Sequence, residues 1–282
     1  MQGRSYGSLS SEPKSADPCG RGVRPPATNR IISSETRFPA HRRTKSGWRL
    51  GRSPVGSRQI FPRVLEFLGS CPRGVVAGRD LTGEGSSTRG WFIAVILKIC
   101  EVGNPVLRKV ARSLSADEIR SKEIQDLIVY MRDTMRDAPG VGLAAPQIGE
   151  SLQITVIEDK AEYQKGLTAE QLRERQRVPV AFHAIINPEI DLLGPADVSF
   201  YEGCLSIPRL MAIVARSRSV RVRCLDEHGE PRVIEAAGWY ARILQHEIDH
   251  LHGRLYTDIM QPETLTTIDN HQRNHPASTS AR

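Results

Sequence analysis

The sequence predicts an α+β fold in which mostly antiparallel β-sheets pack around a helix near the C-terminus. Segments rich in β-branched and aromatic residues follow one another at short spacing, and a turn at residues 226–230 joins two of them as a hairpin. Only two stretches have the length and apolar period of a long helix, at about residues 116–136 and 239–252. Strands that follow each other with few helices between them favour antiparallel sheets over alternating βαβ units.

The charge of the chain is divided unevenly along its 282 residues. Residues 1–90 hold 16 Lys and Arg against 6 Asp and Glu, a net charge of +10, whereas the remainder holds 23 against 26, a net charge of −3. Because the basic character belongs to the first third alone, it disfavours an evenly basic nucleic-acid-binding domain, and we expect no direct readout of nucleic acid.

Three regions are predicted along the chain. Residues 1–90 are Arg-rich, Ser-rich and poor in acids, with no persistent period, which is typical of a disordered organelle transit peptide. The alternative is a disordered basic tail or an incorrect start in the gene model, which would leave the protein in the cytoplasm. Residues 91–269 form the predicted folded domain, and the polar residues 270–282 are expected to be a disordered tail.

Cysteine usage and apolar runs bound the environment of the chain. Five cysteines, at positions 19, 71, 100, 204 and 224, form no C-x-x-C pair, which favours a reducing compartment over a disulfide framework. The apolar run at residues 92–97 is far shorter than the roughly 18 residues that a membrane-spanning helix needs. We therefore expect no membrane span.

The first half of the domain is predicted to hold one strand, one helix and a tight loop. The strand is at residues 92–97. Ser115 and Glu118 have the spacing of a capping box at the start of the helix over 116–136, whose apolar residues recur at helical spacing and should face the core. A loop of small residues follows at 139–147, where Gly140 and Gly142 permit a close approach of backbone to a ligand. It lacks the third glycine of a dinucleotide-binding loop, because Ala145 stands there.

The second half is predicted to be mostly strand. The polar segment 161–178 is interpreted as an inserted loop or a short surface helix. The dipeptide Asn187-Pro188 should interrupt the strand in which it lies. Strands are expected at residues 153–158, 182–190, 198–202, 211–214, 219–225 and 232–235. The closing helix over 239–252 places five residues on one face, at positions Trp239, Ile243, His246, His250 and Gly253.

This last helix contains the pattern H-E-x-x-H at residues 246–250. Two histidines four apart differ by about 400° of turn and about 6 Å of rise, so that His246 and His250 share one face. Two imidazoles there can bind one metal ion, with Glu247 beside them as a base, which predicts metal-dependent hydrolysis. A surface helix with two unrelated histidines is the structural alternative.

A catalytic metal site needs a third protein ligand. The metzincin pattern would place a histidine where this chain has Tyr256, and the thermolysin-like pattern has only Glu263 downstream, close to the end of the fold. A lone cysteine is usually a small buried hydrophobe. Gly203 nevertheless gives Cys204 freedom to turn inward, and the lack of another candidate favours Cys204 as the third ligand.

Three motifs together resemble the signature motifs of peptide deformylases, in order and at fitting spacing. They are Gly-Val-Gly-Leu-Ala-Ala-Pro-Gln at 140–147, Glu-Gly-Cys-Leu-Ser at 202–206 and Gln-His-Glu-Ile-Asp-His at 245–250. The resemblance covers about residues 95–269. Residues 238–239, 241–243 and 267–270, with the long insertion at 160–181, look like the organelle-directed type 1A branch of plants and animals.

The resemblance implies a peptide deformylase fold and an enzyme that removes the formyl group from N-formylmethionyl nascent peptides. It implies action at organellar ribosomes, in the mitochondrion, the chloroplast or both, and it allows a homodimer. By matching motif positions, Cys204, His246 and His250 would hold one divalent ion. The family's usual ion is Fe²⁺, with Zn²⁺, Ni²⁺ or Co²⁺ as substitutes, and the ligand types alone suit zinc as well.

The resemblance also assigns roles around the ion. Glu247 would move the proton, while the Gln147 side-chain amide and the Leu205 backbone N–H would donate to the oxyanion. From the residues alone, Gln147 is equally well an ordinary loop amide. The substrate backbone would lie as an added strand, with candidate walls for its methionine side chain at Val141, Leu205 and Ile243. The residues expected to line the path of the backbone are Pro139, Gly140, Val141, Gly142 and Gly203.

One departure from the family pattern concerns substrate steering. Where many relatives have an arginine five residues after the serine of the second motif, this chain has Met211. Two other functions remain open at the level of sequence. One is a small zinc endopeptidase that uses the same helix, and the other is an inactive, metal-stabilised binding module.

Overall fold

A six-stranded antiparallel sheet forms one side of the molecule. The computed structural model describes residues 30–33, 75–76 and 94–274. The sheet has the order β1-β10-β9-β6-β5-β4. Its strands are β1 (Arg30–Ser33), β4 (Gly142–Ala144), β5 (Ile154–Asp159), β6 (Val180–Leu192), β9 (Ser219–Leu225) and β10 (Pro231–Ala237).

The predicted pattern of strands is confirmed with small shifts in the bounds. The strand predicted at 182–190 begins at Val180, and its register against β9 shifts between Ile186 and Glu189, at the predicted Asn187-Pro188 interruption. Asn187 has a φ of +50°, and its side-chain amide bonds both the N–H and the C=O of Leu114 at 2.9 and 2.8 Å. The hairpin turn is confirmed by a bond from Asp226 N–H to Glu230 C=O.

A second, three-stranded sheet has the order β11-β8-β7, with β7 at Ala196–Cys204, β8 at Ile207–Ser217 and β11 at Thr266–Thr267. β7 and β8 form a hairpin whose register shifts at its tip, where Cys204 pairs with Ile207. A small pair joins β2 (Val75–Val76) to β3 (Ala94–Val95). Part of the predicted first strand, residues 92–93, lies outside the described residues.

The predicted transit peptide contains two of these strands. β1 pairs with β10 in antiparallel register, with Ile31 opposite Ile234, and β2 lies further along the same region. The sequence indicated neither strand. The rest of residues 1–90 lies outside the described part of the chain, so the transit peptide stays a prediction.

The helix predicted over 116–136 is two helices, α1 (Ala116–Arg120) and α2 (Lys122–Asp137). Ser121 between them has an extended backbone, and its hydroxyl accepts a hydrogen bond from Ile124 N–H. A serine that caps a second helix interrupts the first, because its side chain replaces the backbone partner. The capping box of Ser115 and Glu118 is confirmed.

Helices cover both faces of the main sheet. Because successive strand residues point to opposite faces, Val156 and Ile186 pack against α2, whereas Ile157 and Ile185 pack against the helix α4 (Gly238–Leu251). α4 also contacts β8 of the second sheet. It is therefore enclosed between the two sheets, as the sequence predicted for the closing helix.

Two further helices frame the ends of the domain. The polar segment 161–178 holds a 3₁₀ turn at Ala161–Gln164 and the helix α3 (Ala169–Arg175), which confirms a short surface helix. The helix α5 (Ile268–Asn274) continues past residue 270, where the disordered tail was predicted to begin. Residues 275–282 lie outside the described residues. Within the described residues, no helix combines the length and apolar composition needed to cross a membrane.

Candidate metal centre

The structure brings the three predicted ligands together. Cys204 ends β7 at the tip of the hairpin, and His246 and His250 lie one turn apart on α4. One ligand atom from each residue lies within 4.8 Å of the other two. Cys204 Sγ is 3.3 Å from His250 Nε2, and the two imidazole centroids are 5.1 Å apart.

This donor set fits a divalent metal ion. One sulfur and two imidazole nitrogens match the ligand types of zinc or iron sites, and three protein ligands leave a position open for chemistry. Glu247 Oε2 is buried beside these residues and has no hydrogen-bond partner within the described residues. A buried carboxylate oxygen without a partner is costly, so that an ion, a water molecule or a substrate atom is expected next to it.

His246 is oriented by Glu202. Its Nδ1 lies 3.0 Å from Glu202 Oε2, which leaves Nε2 to face the sulfur. Glu202 also accepts hydrogen bonds from Arg216 on both oxygens, at 3.0 Å each, and from Arg242 at 2.6 Å. Partners of this kind fix the tautomer and the ring orientation of a metal-binding histidine. The sequence analysis singled out Glu202 and Arg242 only as parts of motifs and did not identify Arg216.

The charges of this cluster shift the pKa values strongly. Burial alone would raise the pKa of Glu202, but Arg216 and the hydrogen bond from His246 hold it far below its usual range. Burial alone would lower the pKa of His246, yet its bonds with Cys204 and Glu202 raise it well above the usual value. Burial, helped by His246 and Arg216, lowers the pKa of His250. The pKa values of the two rings are therefore shifted in opposite directions, upward for His246 and downward for His250.

Glu247 faces the loop strand β4. A Cβ on Gly142 would overlap the Glu247 carboxylate, so that only glycine leaves room for it. Burial raises the pKa of Glu247 to about 7, against the lowering effect of His246. A carboxyl group with this pKa can both take up and release a proton near neutral pH.

Gln147 is held with its amide toward the sulfur. It is buried in the 3₁₀ helix Ala145–Ile148, and its Oε1 accepts from Ala144 N–H at 2.8 Å. Its Nε2 donates to Ser206 Oγ at 3.2 Å and contacts Cys204 Sγ at 3.6 Å. This orientation places a donor at the candidate metal centre.

A cleft of about 450 Å³ opens on the centre. It is lined by Cys204, His246, Glu247 and Gln147, and by all residues expected to contact the substrate: Pro139, Gly140, Val141, Gly142, Gly203, Leu205 and Ile243. His250 is buried behind them. The sequence missed other lining residues, among them Arg177, Tyr201, Arg209, Leu210, Arg242 and Asp269.

The prediction of a loop over residues 139–147 is partly wrong. Gly142–Ala144 forms β4, which pairs with β5 alone among the described strands and ends the six-stranded sheet. An edge strand keeps unpaired backbone groups that can pair with another chain. Because Gly142 also lines the cleft, this edge is placed to receive an extended peptide.

The position of Met211 separates it from the cleft. Met211 is 2% exposed in β8, where it pairs with Gly203 and Thr266, and it does not line the cleft. Arg209, two residues earlier, has a φ of +65° and does line the cleft. Its guanidinium is exposed and lies 3.1 Å from the Asp269 carboxylate. Among the described cations that line the cleft, Arg209 is therefore the exposed one, since Arg177 and Arg242 are buried.

Comparisons with known proteins agree with this geometry. The sequence profile of the family described as Polypeptide deformylase matches residues 96–265. The tomato protein named Peptide deformylase 1A, chloroplastic, is 43% identical over 188 residues, which cover 64% of this chain and 68% of that protein. The human mitochondrial peptide deformylase is 37% identical over 170 residues, which cover 60% of this chain and 70% of that one.

The fold is shared with solved structures. A class I type b peptide deformylase from Acinetobacter baumannii, crystallised with Met-Ala-Ser, superposes with a TM-score of 0.52 at 30% identity, covering 59% of this chain and 99% of that one. The predicted α+β fold with antiparallel sheets around a C-terminal helix is thus confirmed. The chain belongs to the peptide deformylase family.

Proposed function

We propose that this protein removes the formyl group from the N-terminal methionine of newly synthesised polypeptides, at the centre formed by Cys204, His246 and His250. The observation that supports it most is the meeting of these three side chains within 4.8 Å, in a cleft bordered by an open sheet edge. This arrangement combines a hydrolytic centre with a binding site for an extended peptide.

Cys204 Sγ, His246 Nε2 and His250 Nε2 are the proposed ligands of one divalent ion. Fe²⁺ is the proposed native ion, and Zn²⁺, Ni²⁺ or Co²⁺ could take the same ligands. When bound, such an ion supplies Lewis acidity and lowers the pKa of its water ligand from about 15.7 toward about 7. Glu202 would keep His246 in the tautomer that leaves Nε2 free, through its bond to Nδ1.

Glu247 is the proposed proton carrier. As water oxygen bonds to the formyl carbon, the water proton passes to the Glu247 carboxylate. Glu247 then gives this proton to the methionine nitrogen as the carbon–nitrogen bond breaks, which leaves a free amine and formic acid, and the acid releases its own proton to water as formate. The burial of Glu247 beside the three proposed ligands places the carboxylate where both transfers take place.

Gln147 and Leu205 are the proposed oxyanion donors. The Gln147 amide already points toward Cys204, and Leu205 follows Cys204 in the turn at the end of the hairpin. A donor that meets the negative oxygen of the tetrahedral intermediate is typically worth about 3 kcal/mol. Gln147 is thereby assigned a role beyond that of a loop amide.

The substrate backbone is proposed to pair along β4 and to pass Pro139, Gly140, Gly142 and Gly203. The methionine side chain would enter the apolar wall formed by three residues that line the cleft, namely Val141, Leu205 and Ile243. Downstream residues of the peptide would leave the cleft past Arg209, which replaces the arginine that this chain lacks at position 211.

The proposed place of action is an organelle, at its ribosomes. The tomato relative is named chloroplastic, an Arabidopsis relative chloroplastic/mitochondrial and the human relative mitochondrial. The basic first 90 residues agree with import. The proposal covers the mitochondrion, the chloroplast or both. The homodimer stays a prediction that the chemistry of the site does not require.

Substrate discrimination tests the proposal. We expect purified protein to release the formyl group from formyl-Met-Ala-Ser and to leave acetyl-Met-Ala-Ser intact, because a formyl carbon carries only hydrogen on its second side and fits a narrow centre. Cleavage of an internal peptide bond instead would indicate the endopeptidase. Bound metal without turnover of either substrate would indicate a binding module.

A further inference from the structure

We infer that residues 160–179, the segment between β5 and β6, form a specificity element that closes the methionine end of the cleft. Through Arg177 this segment supports the indole of Trp239 and so limits the length of side chain that the cleft accepts. The inference rests on the proposed function, since it concerns which formylated residue is processed.

Arg177 belongs to the segment and also lines the cleft. It follows the left-handed turn at Gln176 that ends α3, and only 4% of its surface is exposed. Its guanidinium makes two hydrogen bonds of 2.8 Å to the carboxylate of Asp159, the last residue of β5. A buried, two-bonded ion pair of this kind holds the guanidinium in one place.

Trp239 stands away from the metal centre. It lies seven residues before His246 on α4, which corresponds to about 10 Å along the helix axis. The Arg177 guanidinium carbon is 5.3 Å from the centre of its ring, and that of Arg242 is 6.0 Å away. Cations at these distances are attracted to an indole face. Arg177 and Arg242, which line the cleft, therefore hold the indole, and Arg175 of the same segment contacts it as well, at 5.3 Å.

Gly238 locks the segment to the same helix. A Cβ at this position would lie 2.5 Å from Gln176 Cβ and 2.6 Å from the carbonyl oxygen of Arg175, and its φ is +64°. The turn of the segment thus packs directly on the first residue of α4. The start of α4, and with it the backbone of Trp239, is therefore held against the segment.

The closed end offers flat surfaces and little free charge. Arg177 is neutralised by Asp159, and Arg242 donates to Glu202 and to the carbonyl oxygens of Val214 and Val198. A thioether makes favourable contacts with an aromatic ring. We expect this end to accept an uncharged, unbranched side chain of methionine length and to reject one that is a methylene longer.

The test compares kcat/KM for formyl-Met-Ala-Ser with that for the peptide in which ethionine, one methylene longer, replaces methionine. The wild-type enzyme should prefer methionine by roughly tenfold or more. Trp239→Leu removes part of the wall at the closed end and so lengthens the cleft. In this variant the kcat/KM values for the two peptides should become nearly equal. Trp239→Phe, a smaller change, should give an intermediate ratio.

A second variant tests the segment itself. The double substitution Asp159→Asn and Arg177→Met removes both charges together, so that no unpaired charge stays buried. It should lower the methionine preference several-fold. The double substitution Asp191→Asn and Arg223→Met is the matched control, because it removes an ion pair of 2.7 Å between β6 and β9, and neither residue lines the cleft. Its ratio should equal that of the wild type.

Each outcome decides one point. A wild-type enzyme that does not distinguish the two peptides, or Trp239 variants with the wild-type ratio, would overturn the inference. A shift in the Trp239 variants without one in the double variant would remove the segment from the explanation. Formate release from formyl-Met-Ala-Ser with bound metal is scored separately, so its absence in the wild type would count against the proposed function instead.

Discussion

At the scale of single residues, Glu247 should separate metal binding from turnover. It is not one of the three donors, and its carboxylate is buried with one oxygen unpartnered in the described part of the chain. Glu247→Ala should therefore retain a full complement of metal while kcat falls by about two to four orders of magnitude. Formate release and metal content, measured on the same sample, check this. A fully active Glu247→Ala enzyme would falsify the proton-transfer role.

Cys204 should govern metal retention. Replacing its sulfur by the hydroxyl of serine removes the thiolate, the softest of the three ligands, so Cys204→Ser should lose metal during dialysis at a chelator concentration too low to strip the wild type. Cys224→Ala is the control, because burial raises the pKa of the Cys224 thiol to about 12 and keeps it protonated. Stoichiometric metal in dialysed Cys204→Ser would exclude Cys204 from the ligand set.

Residue patterns predicted that Cys204, His246 and His250 lie together, but not the groups that orient them. The spacing of His246 and His250 is a local property of one helix, and the glycine before Cys204 marks a turn. Arg216 reaches Glu202 across the β7–β8 hairpin, and Arg242 reaches it from α4. Such contacts depend on how distant elements pack, and no spacing along the chain records them.

At the scale of elements, the approach of β4 to α4 depends on Gly142. In Gly142→Ala the new methyl group would overlap the flexible end of Glu247, which can move aside while the backbone stays in place. We expect an unchanged melting temperature and metal content, with kcat lowered by about 100-fold, because a misplaced catalytic group costs about that much.

The comparison for this prediction is Gly203→Ala. A Cβ at Gly203 would have its nearest neighbour at 3.6 Å, an ordinary contact, so its loss of kcat should be smaller. Equal losses in the two variants would show that the overlap with Glu247 is not the cause.

Helices and strands whose apolar residues recur at regular spacing were predicted well. An element that becomes a strand only through pairing with its neighbour was not. The apolar stripe of α2, the capping box at Ser115 and the strand Ser219–Leu225 follow from local sequence. β4 is three residues long and contains a glycine, so its strand state comes from pairing with β5. Ser121 reads as one more helical residue until its capping bond is seen.

At the scale of the whole molecule, α4 is enclosed by both sheets, and a buried histidine makes this core sensitive to pH. His183 on β6 is 7% exposed, with Nδ1 2.8 Å from Ala181 C=O and Nε2 2.8 Å from the Tyr240 hydroxyl of α4. Burial lowers the pKa of His183. The charged groups that act on it are Glu227, which raises this pKa, and Arg232, which lowers it.

The sign of the pH dependence follows from this lowered pKa. The unfolded chain binds a proton at His183 near pH 6.5, whereas the folded chain binds it only at lower pH. The stability contribution is therefore complete above about pH 6.5 and is lost as the pH falls below it, by up to about 1.4 kcal/mol per pH unit. When the free energy of unfolding is measured by urea titration between pH 7 and 5, it should fall less steeply with decreasing pH for His183→Gln than for the wild type. Identical slopes would contradict this.

The proposed centre is tested most directly by formate release from formyl-Met-Ala-Ser by the full chain, purified without oxygen and then treated with a chelator. We predict one formate for each free methionine amine, loss of release after chelation and recovery when Fe²⁺ is added back. No formate from metal-loaded protein, or release that the chelator leaves unchanged, would contradict a deformylase centre at Cys204, His246 and His250.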